Sequence, residues 1–266
     1  MQRFFRDDLL HDRVAFVTGG GSGICKGIAL AYAHHGAKTV LVGRKQDKLD
    51  AAAAEITAQT GRPSVGMAAD VRDFDAVASV VARTVAEVGP IDIVINGAAG
   101  NFLAPAAQLS SNGFRTVLDI DAVGTFNVSR AVFDASMRDR GGAIINITAT
   151  LHYGATHLQI HAASAKAAVD ATTRAMALEW GPAGVRVNGI APGGIEDTEG
   201  MARLLPPGMK ERITAAVPMR RFGRIEEIAN VALFLASDAA SLVSGAIVVA
   251  DGGACLPAAS GLAASL

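Results

Sequence analysis

The chain is short of charge, of aromatic rings and of cysteine, and each shortage narrows what it can be. Asp, Glu, Lys and Arg make up 18% of 266 residues, below the ~25% usual for soluble domains. The 24 basic and 25 acidic residues leave a net charge of −1 with no block of one sign, so there is no broad electrostatic footprint for nucleic acid. An anionic ligand must therefore be held locally. The two cysteines, Cys25 and Cys255, exclude a disulfide framework or a cysteine metal cluster and point to a reducing compartment. Long apolar runs are also lacking. The longest stretch free of Asp, Glu, Lys and Arg, from Gly141 to Ala165, carries Asn146, His152, His157, Gln159 and His161, each expensive in hydrocarbon, so no membrane span is expected. Arg3, Arg6, Asp7 and Asp8 break the apolar core a secretory signal would need, and a cytoplasmic protein is expected. The terminal Ala264-Ser265-Leu266 resembles the peroxisomal Ser-Lys-Leu address without its basic middle residue.

What is present is aliphatic and glycine-rich: 50% hydrophobic residues, 5% aromatic, 29 glycines. Short β-branched runs alternate with longer segments of helical spacing, the rhythm of strand, crossover helix and parallel strand. Strands are predicted at Val14 to Thr18, Thr39 to Val42, Ser64 to Ala68, Ile91 to Asn96, Ala143 to Ile147, Arg186 to Ile190 and Ala246 to Val249. Helices are predicted at Gly23 to His35, Gln46 to Thr60, Phe74 to Val88, Gly113 to Arg138, His161 to Trp180 and Ile225 to Ala236. Gly36, Gly61, Gly89 and Gly181 follow helices where a left-handed residue is favoured, with Pro182 reinforcing the last stop. Several strands are apolar throughout and should be covered on both faces. The expectation is one α/β domain over residues 1–266, a Rossmann-type doubly wound parallel sheet of seven strands with helices on both faces. Its ligands should lie beyond the strand C-termini.

The residues at that edge are informative. Thr18-Gly19-Gly20-Gly21-Ser22-Gly23-Ile24 follows the first strand and opens a helix, a context in which Gly19, Ser22, Gly23 and Ile24 would meet a pyrophosphate. Cys25, where the last glycine of such a fingerprint is expected, reads best as a buried spacer. The second strand ends in Gly43-Arg44-Lys45 with no carboxylate for ribose hydroxyls. A guanidinium there suits a 2′-phosphate, which predicts NADPH. Asp70-Val71-Arg72 and Asn96-Gly97-Ala98-Ala99-Gly100-Asn101-Phe102 follow the third and fourth strands. Asp70 is either an acceptor for an adenine amino group or a cap, and the small residues from Gly97 to Gly100 leave room for a flat ring or simply form a turn. The six histidines assemble no metal site.

Together with Asn146-Ile147-Thr148, Lys166, Pro192-Gly193 and Asp251-Gly252-Gly253, these motifs resemble the short-chain dehydrogenase/reductase family from Leu9 to Ala254. The resemblance implies a single nicotinamide-binding domain in a homotetramer or homodimer, with Asn96, Ala98, Pro192, Gly193 and Ile195 lining the cofactor and Lys166 holding its ribose. It also implies a Ser, a Tyr four residues before the Lys, and an Asn. Here those positions hold Ala149, Ala162 and Asp121. The runs from Asn96 to Leu103, Asp119 to Asp121, Gly124 to Arg130, Asn146 to Leu151 and Ser164 to Asp170 are further similar to a narrower group, the reductases of the peroxisomal 2,4-dienoyl-CoA type. That similarity implies an Asp121 and Lys166 catalytic pair, Asp121 orienting a proton-relaying water. It further implies an acyl contact at Phe102, and Arg72 and Arg203 near the CoA phosphates or adenine. Chemistry agrees in kind, because hydride sent to a conjugated thioester carbon leaves an enolate that hydrogen-bond donors hold.

Other readings stand beside it. Tyr153 is a secondary acid candidate, and with Thr148 or Thr150 it would serve a reductase of another carbonyl or enoyl substrate. A third possibility is an NADP-binding sensor or assembly subunit whose chemistry went with the Tyr and Ser. Arg72 and Arg203 also read as surface charges, and Phe102 as a core cap. Residues 196–218 are expected to form a lid, in which Met201, Leu204, Leu205 and Met209 serve either an acyl tail or a plain amphipathic helix.

Overall fold

The computed structural model describes residues 5–205 and 208–256; the terminal tripeptide lies outside them. Seven parallel strands, β1 (Val14–Thr18), β2 (Lys38–Gly43), β3 (Ser64–Ala68), β4 (Ile93–Asn96), β5 (Gly142–Ile147), β6 (Val185–Pro192) and β7 (Ile247–Ala250), lie in the order 3-2-1-4-5-6-7. The order reverses between β1 and β4, so the ligand crevice opens where their C-termini diverge. Around the sheet pack α1 (Gly23–His34), α2 (Gln46–Thr60), α3 (Phe74–Glu87), α4 (Ser111–Leu118), α5 (Gly124–Val132), α6 (Ile160–Trp180), α7 (Glu199–Leu204), α8 (Lys210–Ala216) and α9 (Ile225–Ala236).

Both sheet faces are covered, as the unbroken apolar strands require. Along β1 the side chains alternate: Ala15 and Val17 join the core under α1, α2 and α9, while Val14 and Phe16 join the core under α3 and α5. Tyr32 ties α1 to α9, its hydroxyl donating to the Ala232 carbonyl at 2.9 Å. On the other face Phe133 stacks on Trp180 at 4.4 Å.

Several boundaries differ from the sequence expectation, each for a local reason. β4 starts at Ile93 rather than Ile91, because the Ile91 N–H donates to Ser136 Oγ at 2.7 Å and its carbonyl accepts from the same hydroxyl at 3.0 Å. β6 runs on to Pro192, which pairs with Ala250. Gly181 has φ −53 and starts a short 3-10 turn with Pro182, and the left-handed residue is Gly184, at φ 75. The helix expected from Gly113 to Arg138 begins earlier, at Ser111, where Ser110 Oγ accepts the Gly113 N–H at 3.0 Å. It also contains two π-helical turns, Asp119–Val123 and Phe133–Met137. The segment 196–218 contains α7 and α8.

Candidate active site

The base of the crevice is built from small residues, among them Thr18, Gly19, Cys25 and Gly97. Thr18 Oγ1 donates to the Ile95 carbonyl at 3.3 Å and accepts the Gly97 and Ala98 N–H groups at 3.0 and 3.2 Å, binding the turns after β1 and β4 together. A Cβ on Gly19 would come within 2.7 Å of the Gly97 carbonyl oxygen, and one on Gly97 within 2.0 Å of Cys25 Sγ. Cys25 is thus a spacer, buried behind the glycine turn, and burial pushes its thiol up to about 12.

The turn from Gly19 to Gly23 fits a pyrophosphate. Gly19 and Gly23 take φ 69 and 56, and Ser22 caps α1 in an extended conformation with its hydroxyl uninvolved in capping. The first turn of α1 holds no acidic residue, so the N–H groups and the positive end of the helix dipole are uncompensated. Thr198, which sequence reasoning overlooked, lies over this turn, 3.9 Å from where a Gly23 Cβ would stand. Its only sequence signal was a Thr three residues after Ile195.

Arg44 follows β2, exposed, with no hydrogen bond or ion pair among the described residues beyond the field of Asp70. Asp70 and Arg72, expected on different ligand groups, engage each other. The Arg72 guanidinium bonds both Asp70 oxygens at 3.0 and 3.1 Å through Nε, and this pair holds the Asp70 carboxyl below its ordinary value. Val71 is buried, and Asn127 Nδ2 donates to its carbonyl at 2.9 Å, fixing the loop after β3. Asn96 Nδ2 donates to Ser129 Oγ and Asn146 Oδ1 at 2.8 and 2.9 Å. A Cβ on Gly193 would meet Asp251 at 2.8 Å, holding Pro192-Gly193 close to the turn after β7. Ile195 is buried and bridges Gly223.

At the centre, Asp121 and Lys166 form a buried ion pair, Nζ to Oδ2 at 2.9 Å, with side-chain exposures of 1% and 10%. Two further bonds align it: the Gly100 N–H donates to Asp121 Oδ1 at 2.7 Å, and Lys166 Nζ donates to the Ile147 carbonyl at 3.0 Å. Asp121 sits in the first π-helical turn, an irregularity frequent at functional sites. Ala162, one helical turn before Lys166, is buried and brings no proton donor. An unpaired buried charge would be costly, so these two residues require each other.

Tyr153 goes elsewhere. Its hydroxyl donates to Asp170 Oδ2 at 3.4 Å, and burial and the Asp170 charge push its pKa above the ordinary phenol value. His152 bonds the same oxygen at 3.0 Å. Phe102 is 38% exposed on the loop after β4, stacked on His161 at 4.3 Å. Arg203 is exposed on α7, and Lys48 of α2 reaches that helix through Glu199 at 2.5 Å. Among the described residues no group of three or more His, Cys, Asp or Glu is placed to hold a metal ion, and no helix is long and apolar enough to cross a membrane.

Comparison with known proteins identifies the family. A family model described as enoyl-(acyl carrier protein) reductase matches residues 19–255. The chain is 51% identical over 257 residues to the peroxisomal 2,4-dienoyl-CoA reductase [(3E)-enoyl-CoA-producing] of Pongo abelii, covering 96% of this chain and 88% of that one. It is 49% identical over 259 residues to the enzyme of the same name from Danio rerio, covering 96% and 85%. Among solved structures, a gluconate 5-dehydrogenase from Burkholderia cenocepacia in complex with NADP and tartrate superimposes with a TM-score of 0.88 at 30% identity, covering 95% of this chain and 99% of that one. The family model spans most of the chain and the solved structure shares its fold over nearly its whole length, and the chain belongs to the short-chain dehydrogenase/reductase family.

Proposed function

We propose that this chain reduces 2,4-dienoyl-CoA to 3-enoyl-CoA with NADPH. The observation that carries this reading is the buried Asp121 and Lys166 pair standing where alanines replace the expected Ser and Tyr, in a chain about half identical to reductases of that name. A ketone reductase must protonate a developing alkoxide, and neither Ala149 nor Ala162 can do so. A dienoyl thioester removes that demand. The bound nicotinamide supplies a hydride to the far end of the diene. The electron pair then moves through the conjugated system to the thioester oxygen, and a proton is needed at the α-carbon.

Each residue has a part in this scheme. Lys166, held by Asp121 and the Ile147 carbonyl, turns its remaining N–H to the nicotinamide ribose. Asp121, with lone pairs free on both oxygens, orients the water that brings the proton. Gly19, Ser22, Gly23 and Ile24 receive the pyrophosphate, and Arg44 receives the 2′-phosphate. Asp70 and Val71 border the adenine, while Asn96, Ala98, Pro192, Gly193 and Ile195 border the nicotinamide. Phe102 meets the acyl chain, and Arg72 and Arg203 meet the CoA phosphates, Arg72 keeping Asp70 as its partner. Residues 196–218 cover the substrate. Val123, Phe126 and Val249 are exposed and apolar, which supports assembly as a homotetramer or homodimer. The relatives' names favour a peroxisomal setting wherever that compartment exists.

The test is a spectrophotometric assay of NADPH oxidation with 2,4-hexadienoyl-CoA. Turnover is expected, falling by about 10²- to 10⁴-fold in Asp121→Asn with dinucleotide affinity retained, the range for a positioned proton donor. Absence of dienoyl-dependent oxidation by the pure protein rejects the function; an unchanged kcat in Asp121→Asn rejects the role of Asp121.

A further inference from the structure

Six buried side-chain polar atoms have no hydrogen-bond partner among the described residues, and three of them belong to two residues tied to the loop after β4: both ring nitrogens of His161, on which the Phe102 ring lies, and Oδ1 of Asn101. His161 is completely buried in the first turn of α6, directly before Ala162. An imidazole always offers at least one N–H and, when neutral, one acceptor lone pair. Leaving such a group unpaired is destabilising, and an apolar ring in its place would escape that penalty.

The surroundings show what the imidazole attends to. Three consecutive residues after β4 join the two sides of the catalytic centre: the Gly100 N–H holds Asp121 Oδ1, Asn101 Nδ2 donates to Gln159 Oε1 at 2.6 Å, and the Phe102 ring lies on His161. Asn101 is therefore one peptide away from the hydrogen bond that fixes the Asp121 carboxylate, and Phe102 ties His161 to the same loop. Buried waters typically bond to otherwise unsatisfied polar groups, and the His161 ring and Asn101 Oδ1 are such groups.

We propose that His161 and Asn101 anchor a buried water that feeds the Asp121 site its proton, making His161 a positioning residue for proton delivery in place of the missing hydroxyl. The proposal rests on the proton-relay reading of Asp121. The reduction takes up one proton from solvent, which would pass through the anchored water to the water at Asp121, each water regaining the proton it gives up, while the imidazole holds the first water by a hydrogen bond and keeps its own proton count. Phe102 serves as the lid of this water site from the acyl side.

Two variants test it. His161→Phe keeps a ring to stack under Phe102 and removes both nitrogens; His161→Gln restores a donor and an acceptor. In His161→Phe the thermal midpoint is expected to stay level or rise, NADPH affinity and the KM for 2,4-hexadienoyl-CoA to stay within about twofold, and kcat to fall about tenfold or more with a larger solvent deuterium isotope effect. His161→Gln is expected to recover part of the lost kcat. A kcat within twofold of the parent in His161→Phe, a loss carried by KM or by a lowered thermal midpoint, or a His161→Gln protein no better than His161→Phe overturns the proposal. If Asp121→Asn loses activity while His161→Phe keeps it, only the His161 role fails; if Asp121→Asn itself keeps activity, the reading beneath it fails.

Discussion

A single side chain decides the chemistry at several positions here, and the clearest case is the sulfur of Cys25. It fills the space that a Gly97 Cβ would enter at 2.0 Å. Gly97→Ala is therefore expected to lose about 1–3 kcal/mol in denaturant unfolding, and Cys25→Ala introduced with it to return a measurable part. Additive losses in that double-mutant cycle contradict the packing account. Arg44 makes a different prediction, because its only described influence is the field of Asp70. Arg44→Ala is expected to raise the KM for NADPH about 10- to 100-fold, the worth of a charged hydrogen bond, while the KM for NADH moves far less. Tyr153→Phe should leave kcat within about twofold, since that hydroxyl is directed at Asp170, and a loss of turnover would restore Tyr153 as the acid. The family resemblance joined Asp121 and Lys166 as a catalytic pair, but the direct ion pair between them was not legible in the residues themselves, because they lie on different helices and no local period connects them. The Asp70 and Arg72 contact was hidden for another reason: both faced the ligand edge, and spacing says nothing about which of two neighbours a carboxylate will choose.

At the scale of elements, composition and turn chemistry were a good guide wherever a segment is regular. α2 and α9 fall at the predicted boundaries, Gln46–Thr60 and Ile225–Ala236. The two π-helical turns were not legible, because one extra residue in a turn hardly disturbs an apolar stripe read at a 3.6-residue period. Of α7 and α8 only the amphipathic spacing of Met201, Leu204, Leu205 and Met209 was legible, not two separate helices, each being too short to show two full turns of periodicity. These helices are anchored at their base by polar contacts, Lys48 to Glu199 at 2.5 Å and Lys210 to Glu196 at 3.0 Å. Both pairs are exposed, so they contribute little to stability. Glu199→Gln is expected to leave the thermal midpoint unchanged within about 1 °C while altering the KM values, because the contact ties the segment over the cofactor turn to α2. A fall in stability without a kinetic effect would show that α7 is simply part of the scaffold.

For the whole molecule the charges set a pH window. Glu227 is lowered from its ordinary 4.5 to about 2 by the Arg221 guanidinium, and Asp70 and Asp134 are lowered by their own basic partners. A carboxyl held low in the folded state adds stability above its unfolded value, and that stability is lost as pH falls toward the folded value. The thermal midpoint is expected to drop between about pH 4.5 and 2. At the other end Cys25, raised from 9.0 to about 12 by burial, ionises first in the unfolded chain. Stability then declines as pH rises above 9, and a Cys25→Ala protein should show a shallower decline.

The strand order carries one last consequence, for how the molecule reaches this state. β1 pairs with β4 only after two complete strand and helix units have been made between them, and the Thr18 contact to Gly97 is the clasp that follows. Closing so long a loop is slow relative to forming the helices within it. The nucleotide crevice is accordingly a late product of refolding: far-ultraviolet signal should recover first, and the capacity to bind NADPH should trail it.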